Sequence, residues 1–514
     1  MALSAHHPAP TARPPAGLPA AGVRTGRPAL WDPWRTAART PDRPAVLVDD
    51  RVHTVAELTA LADELRHGLA ALGVPDGAVV GTDLPSGPEL FALLLAGLRG
   101  GYGVFPLAED APGARRALLT AARARLDVRA AAPAGAPPPT VGEPTGPVPA
   151  LGLAELRRAG RAAADGRPTA AGPEPAAGFL VFTTSGTTGE PTVVARHRPW
   201  YAYRGVAVRP EDAAGPDRGP HVMANAGFHL GTLGPALHAL QAGSAVVVLP
   251  RWSVAGFATA VDRHAADSAF LSPDQLAEVA DAGRPPRRRL ARVFHGGAAT
   301  APAVKRRAIE LLGPGLHEYY GTSHGVISEV SAPDWLARPG TAGRPLPGVR
   351  VRVVRDGVPR APGEAGAIQV RRRAVDAEGD PSFLDTGDLG YLDADGYLFV
   401  LGRAEPGVGE AGPSLEGLVR QLPGVADVAV LPAAGGGSGG ARCFVEYRPG
   451  LDSGALAGTV ASLGRRLGLS AVTVASGPLG TFPRTASGKI RRAALGTGAP
   501  GERPAGGRGA GVTR

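Results

Sequence analysis

Cysteine, lysine and aromatic side chains are all scarce in this chain. A single cysteine, Cys443, among 514 residues excludes intrachain disulfides and cysteine-rich metal sites, and fits a reducing, cytoplasmic setting. Aromatics at 5% do not supply the stacking platforms that bind nucleic-acid bases. Long apolar runs are missing too: the best stretch, residues 90–98, is stopped by Arg99, well short of a membrane span. Residues 1–28 are rich in Ala, Pro and Gly and lack the apolar centre of a secretion signal. They and residues 496–514 are expected to be disordered.

The formal charge of +9 raises nucleic acid as a partner. The arginines are spread along the whole chain, however, with runs only at Arg287-Arg288-Arg289 and Arg371-Arg372-Arg373, so the charge reads as solvated faces. Of the 55 lysines and arginines only two, Lys305 and Lys489, are lysines. Where arginine fills nearly every cationic position, a retained lysine marks a place that needs a compact, mobile point charge rather than a planar fork. Lys305, in Val304-Lys305-Arg306-Arg307, reads as an exposed helix face. Lys489, in Pro483-Arg484-Thr485-Ala486-Ser487-Gly488-Lys489-Ile490-Arg491, is the candidate catalyst.

The densest signal is Thr183-Thr184-Ser185-Gly186-Thr187-Thr188-Gly189-Glu190-Pro191, directly after the apolar run Phe179-Leu180-Val181-Phe182. Glycines let successive N–H groups converge on an anion, and the hydroxyls add rotating donors. A triphosphate suits such a nest; the plain alternative is a polar surface turn. It is not a Walker loop, which must open a helix. Pro191 and the β-branched Thr192-Val193-Val194 predict a second strand instead.

With a hydrophobic content of 44% and room for two or more domains, the chain reads as soluble and globular. Residues 45–48 and 78–80 read as strands, and residues 54–71 and 88–98 as helices. Residues 131–149 read as a loop. A second α/β stretch covers residues 179–294, short strands dominate from residue 349, and residues 404–495 form a small α/β segment with a strand over residues 428–431. Such alternation predicts a layered α/β protein with much parallel sheet.

Further patches follow in order. Phe294-His295-Gly296-Gly297-Ala298 is a small-residue turn after a strand, open to a flat ring. Glu318-Tyr319-Tyr320-Gly321-Thr322-Ser323 offers aromatic surface followed by hydroxyls. Thr386-Gly387-Asp388-Leu389 presents a carboxylate on a tight turn, suited to a ribose diol, and Leu401-Gly402-Arg403 ends in a cation. Each alone is as well explained by an ordinary turn; together, in this order, they are not.

In these patches, over residues 41–495, the chain resembles the adenylate-forming superfamily: acyl- and aryl-CoA ligases, peptide-synthetase adenylation domains and luciferases. Thr40-Pro41-Asp42-Arg43-Pro44-Ala45 and Gly343-Arg344-Pro345-Leu346-Pro347-Gly348 share in the likeness. The resemblance implies a large N-terminal domain over residues 29–402, with layered, mostly parallel sheets and a small β-rich subdomain. A small mobile α/β domain follows over residues 403–495, hinged near Glu405. It also implies that Thr184, Ser185, Gly186, Thr187, Thr188 and Gly189 hold the ATP phosphates. Gly296, Gly297, Ala298, Tyr319 and Tyr320, with Gly321 and Thr322 behind them, would flank adenine. Ser323 would touch the α-phosphate, Asp388 and Arg403 the ribose, and Lys489 would reach in from the small domain for adenylation. Phe228, His229 and Gly231 would line the acid; His229 stands where amino-acid-activating relatives carry an aspartate, which favours a simple acyl or aryl acid. A core histidine satisfied by one hydrogen bond is the alternative for His229.

Three departures bear on the chemistry. His324 replaces the glutamate that relatives use for Mg²⁺, and imidazole is a poor ligand for that hard ion. The metal is then left to phosphates and water, or to Glu329. The phosphate loop ends Pro191-Thr192-Val193 where relatives have Pro-Lys-Gly. Residues 404–412 are shorter than the loop that shapes the thiol tunnel in relatives. The leading expectation is an acyl-CoA ligase using ATP, Mg²⁺ and CoA. The alternatives are an amine or carrier-protein acceptor, activation of a small oxyacid such as nitrite, and a degenerate nucleotide binder.

Overall fold

The computed structural model describes residues 29–108, 112–131, 147–164, 178–183, 192–197, 200–202, 219–322, 325–372, 383–403, 407–433, 439–484 and 489–497. The expected phosphate nest at residues 184–189, Ser323, His324, Glu405 and nearly all of both terminal segments lie outside them.

Local chemistry sets the elements. Helix Val55–Ala71 opens on a capping box in which Thr54 and Glu57 satisfy each other's backbone N–H groups. Its Leu58, Ala62, Leu65 and Leu69 recur at three- and four-residue spacing and are buried. Helix Pro88–Gly100 contains the strongest apolar run, and Leu90 through Leu98 are buried on every side. At roughly 1.5–3 kcal/mol per fully buried large apolar side chain, it anchors the interior. Arg99, at its last turn, sits 4.2 Å from the Trp34 ring centre and 3.2 Å from Asp63. Among the described residues no helix is long and apolar enough to cross a membrane.

Two sheets sandwich that helix. A nine-stranded sheet runs, in spatial order, Arg344–Pro345, Gly325–Ser331, Leu316–Thr322, Arg292–Gly296, Ser268–Leu271, His221–Met223, Val246–Val248, Pro44–Val48 and Arg51–Thr54. Its interior pairs are parallel and its edges antiparallel. A six-stranded sheet is parallel except at its last strand, where Val193–Arg196 pairs antiparallel with Phe179–Thr183, as the β-branched residues after Pro191 predict. The largest core lies between these sheets and includes helices Pro88–Gly100 and Leu230–Ala242. A second core, on the opposite face of the nine-stranded sheet, takes in helices Val254–Arg263, Pro273–Ala282 and Pro302–Leu312.

A five-stranded antiparallel sheet packs Ile368, Val370 and Leu398 against Ile327 of the nine-stranded sheet. The chain ends in a small lobe: strands Val425–Pro432, Gly440–Tyr447 and Ala471–Pro478 with helices Ala411–Arg420 and Ser453–Arg466, built around its own core. The architecture is the layered α/β arrangement read from the sequence.

Candidate active site

Parallel sheets leave a crevice beyond the carboxyl ends of their strands, where ligands bind. Strand Arg292–Gly296 runs out there into Gly297, whose φ of +90° is a conformation that side-chain-bearing residues rarely adopt. A Cβ at Gly297 would meet one neighbour within 4 Å, the Cε of Lys489 at 4.0 Å. The small lobe's lysine thus lies over the exposed backbone that the sequence offers to a flat ring. Lys489 is held by the pairing beside it: Arg484 bridges Ile490, and the Arg491 N–H donates to the Pro483 carbonyl at 2.7 Å.

Antiparallel pairing sets Asp388 opposite Arg403. Arg403 Nε lies 3.3 Å from the Asp388 carboxylate, its Nη1 donates to the Thr386 carbonyl at 2.7 Å, and the Tyr320 hydroxyl donates to Asp388 at 2.6 Å. Burial raises the Asp388 carboxyl above the ordinary range, against the pull of Arg403, Tyr320 and Lys489. The same burial lowers Lys489, Arg403 lowers it further, and Asp388 opposes both. One carboxylate, one phenol and two cations therefore converge from two lobes. Thr386-Gly387-Asp388-Leu389 is not the free-standing tight turn expected from sequence: it lies inside the nine-residue strand Leu384–Leu392, whose register shifts at Leu389 and Gly390.

Strand alternation separates the two tyrosines. Tyr320 faces Asp388, whereas Tyr319 packs on Phe270 with ring centres 5.9 Å apart, and a Cβ at Gly231 would stand 2.9 Å from its hydroxyl. Tyr319 also borders the glycine turn, since a Cβ at Gly296 would stand 3.0 Å from its ring. It joins Gly231 as well, close by Phe228 and His229, whose rings are 4.1 Å apart at the start of helix Leu230–Ala242. Phe270, Phe294 and His317 are in register on that same face. His317 Nδ1 lies 2.9 Å from Glu329 Oε1, so the carboxylate considered for Mg²⁺ is engaged by a histidine. Gly296 pairs with Tyr319, and Gly321 and Thr322 end the tyrosine strand. Ala298 follows Gly297 in the open segment after its strand.

The opposite face corrects another expectation. Lys305 is not solvated: it is 1% exposed, paired with Glu318, and 4.7 Å from the Trp335 ring centre. Beside it His295 is wholly buried, its Nε2 4.0 Å from Glu318 Oε2. Burial and the Lys305 charge hold that imidazole well below its usual pKa. Sequence reasoning missed this cluster, although Val304, Ala308, Ile309 and Leu312 already marked Lys305 as lying on the apolar stripe of its helix.

The family described as AMP-binding enzyme matches residues 33–376. The chain is 30% identical to the sulfoacetate–CoA ligase of Cupriavidus necator over 77% of its own length and 83% of that protein. It is 26% identical to the fatty acid–[acyl-carrier-protein] ligase ScoC of Streptomyces coeruleorubidus, covering 77% and 82%. Its fold matches the Bacillus subtilis o-succinylbenzoate coenzyme A synthetase solved with ATP and magnesium ion, with a TM-score of 0.71 and 22% identity over 91% of this chain and all of the other.

Proposed function

The chain belongs to the AMP-binding enzyme family, and we propose that it adenylates a carboxylic acid with ATP and then passes the acyl group to the thiol of coenzyme A. The observation that carries this reading is Lys489, delivered by the small lobe to the backbone of Gly297 and held in the company of Asp388 and Arg403.

The chemistry follows from charge. A substrate carboxylate oxygen attacks the α-phosphorus, the bond to the β-phosphate oxygen breaks, and pyrophosphate leaves; both reactants are anions. The half-buried Lys489 ammonium, less screened by water than a surface charge, offsets that repulsion as charge develops. Asp388, with Tyr320 and Arg403 fixing its orientation, accepts hydrogen bonds from a ribose diol. A flat ring would rest on the open backbone after Gly296, flanked by Tyr319 and Tyr320. Phe228, His229, Gly231 and Tyr319 form the wall on which the acid rests. In the second step the thiol sulfur attacks the acyl carbon and AMP departs.

Magnesium bound with the triphosphate would neutralise phosphate charge. The described residues do not build a protein cage for it: no group of three or more His, Cys, Asp or Glu side chains among them could hold a metal ion.

ATP–pyrophosphate exchange, screened over sulfoacetate, o-succinylbenzoate and straight-chain fatty acids, tests the reading. Exchange dependent on one of these acids, with AMP and thioester formed once coenzyme A is added, is the expected result. ATP binding with no exchange for any carboxylic acid would contradict it.

A further inference from the structure

Adenylation by Lys489 requires the small lobe to sit at one place on the large lobe, and the charges at that joint are arranged around a single residue. Arg484 lies five positions before Lys489 and forms an antiparallel bridge with Ile490, the residue after it. Its Nη1 is 3.1 Å from Asp427 and 3.9 Å from Asp274, and its Nη2 pairs with Glu446. Glu446 is wholly buried and also accepts from the backbone N–H groups of Gly480 and Phe482 at 3.1 and 2.6 Å, which fixes it firmly. Asp427 and Glu446 belong to the small lobe. Asp274 belongs to the large lobe, in the first turn of helix Pro273–Ala282.

The geometry points to Arg484 as a positioning residue for Lys489: its guanidinium joins two small-lobe carboxylates to Asp274, and without it these acids would repel one another across the joint. This role rests on the adenylating reading of Lys489. A second contact runs to the other end of the same helix, where Arg448 of the small lobe pairs with Asp281 in the last turn. An acid there works against the helix dipole, and the partner across the joint offsets that cost. Helix Pro273–Ala282 thus docks the small lobe at both ends, and the bridge from Arg484 to Ile490 ties that docking to the residue next to Lys489.

The test compares full-length wild type, Arg484→Gln, and Arg484→Gln combined with Asp274→Asn. Two readouts apply: acid-dependent ATP–pyrophosphate exchange, and amide hydrogen exchange with AMP as the added probe. Arg484→Gln is expected to slow pyrophosphate exchange about tenfold, equivalent to about 1.4 kcal/mol. Amide exchange should rise in helix Pro273–Ala282 and at residues 489–491, while strand Gly440–Tyr447 stays protected. Removing the Asp274 charge should restore several-fold of the loss, because it removes the repulsion. Unchanged exchange in Arg484→Gln would overturn the proposal. So would deprotection of the whole small-lobe sheet with no rescue by Asp274→Asn, which would make Arg484 a fold-stabilising residue only. Wild type without pyrophosphate exchange for any acid would defeat the adenylation reading, while the amide measurement would still decide whether Arg484 docks the lobe.

Discussion

Lys305 and Lys489 are the chain's two lysines, one on a helix of the large lobe and the other on the small lobe beside Gly297. Lys305 is fully buried and Lys489 half-buried, and burial lowers the pKa of both. Their company differs. Lys305 has its own carboxylate, Glu318, in direct contact, an aromatic ring beside it, and every partner within the large lobe. Lys489 comes from the other lobe and shares its site with a second cation, Arg403, as well as Asp388. A buried ammonium matched by its own carboxylate is a structural element; one brought beside another cation leaves positive charge for an arriving anion to use. The difference in company distinguishes the two although the residue type is the same and burial lowers both pKa values.

The largest effect expected on the Lys305 side is on stability. Lys305→Met should cost about 3 kcal/mol, because it strips the partner from Glu318, a carboxylate only 18% exposed. Urea unfolding would measure it, and Lys305→Met combined with Glu318→Leu should recover most of the loss. A similar loss for Lys489→Met would erase the distinction between the two residues.

Acid titration sharpens the contrast next. His295, beside Lys305, has its pKa depressed by burial and by that charge, and burial lowers His221 to about 3. Below pH 6.5 the unfolded chain therefore binds protons that the folded chain refuses, so stability falls as pH falls. The slope is about 1.4 kcal/mol per pH unit for each group while the difference lasts. Asp388 has the opposite sign: its raised pKa makes the folded state bind the extra proton between the ordinary carboxylate range and its own value, which adds stability as pH falls there. Unfolding curves at pH 7 and pH 5 should show a net loss, smaller in His221→Asn; equal stabilities would remove the argument that these imidazoles are held neutral.

The smallest effect belongs to the ribose contact. Asp388→Asn keeps the shape but removes a charged acceptor, and should raise KM for ATP about tenfold with kcat little changed. A fall in kcat alone would place Asp388 in the chemistry rather than in binding.

Much of this was legible in the sequence for physical reasons. The capped, periodic helix after Thr54, the uninterrupted apolar helix before Arg99 and the strand after Pro191 follow from local signals that tertiary packing did not override. The resemblance carried by the ordered patches implies Gly297, Asp388, Arg403 and Lys489 as a set, and the fold places Lys489 beside Gly297 and Asp388 beside Arg403. Lys305 was misread because its charged neighbours Arg306 and Arg307 masked an apolar stripe in which position 305 takes part. The tyrosine pair reads as one surface in the sequence, whereas alternation along the strand turns Tyr320 to Asp388 and Tyr319 to Phe270. The docking acids Asp274 and Asp281 carry no sequence signal at all: their partners are 210 and 167 residues away, and only the fold supplies that pairing.

The central claim is that Lys489 acts in adenylation from its place over Gly297. Acid-dependent ATP–pyrophosphate exchange in Lys489→Ala tests it most directly, alongside thioester formation from acyl-adenylate supplied ready-made. Exchange should fall by about 10²-fold or more, the size of one lost charge-stabilising contact, while the second reaction and the melting temperature stay near wild type. Near-normal exchange, or an equal fall in both half-reactions, would contradict the account.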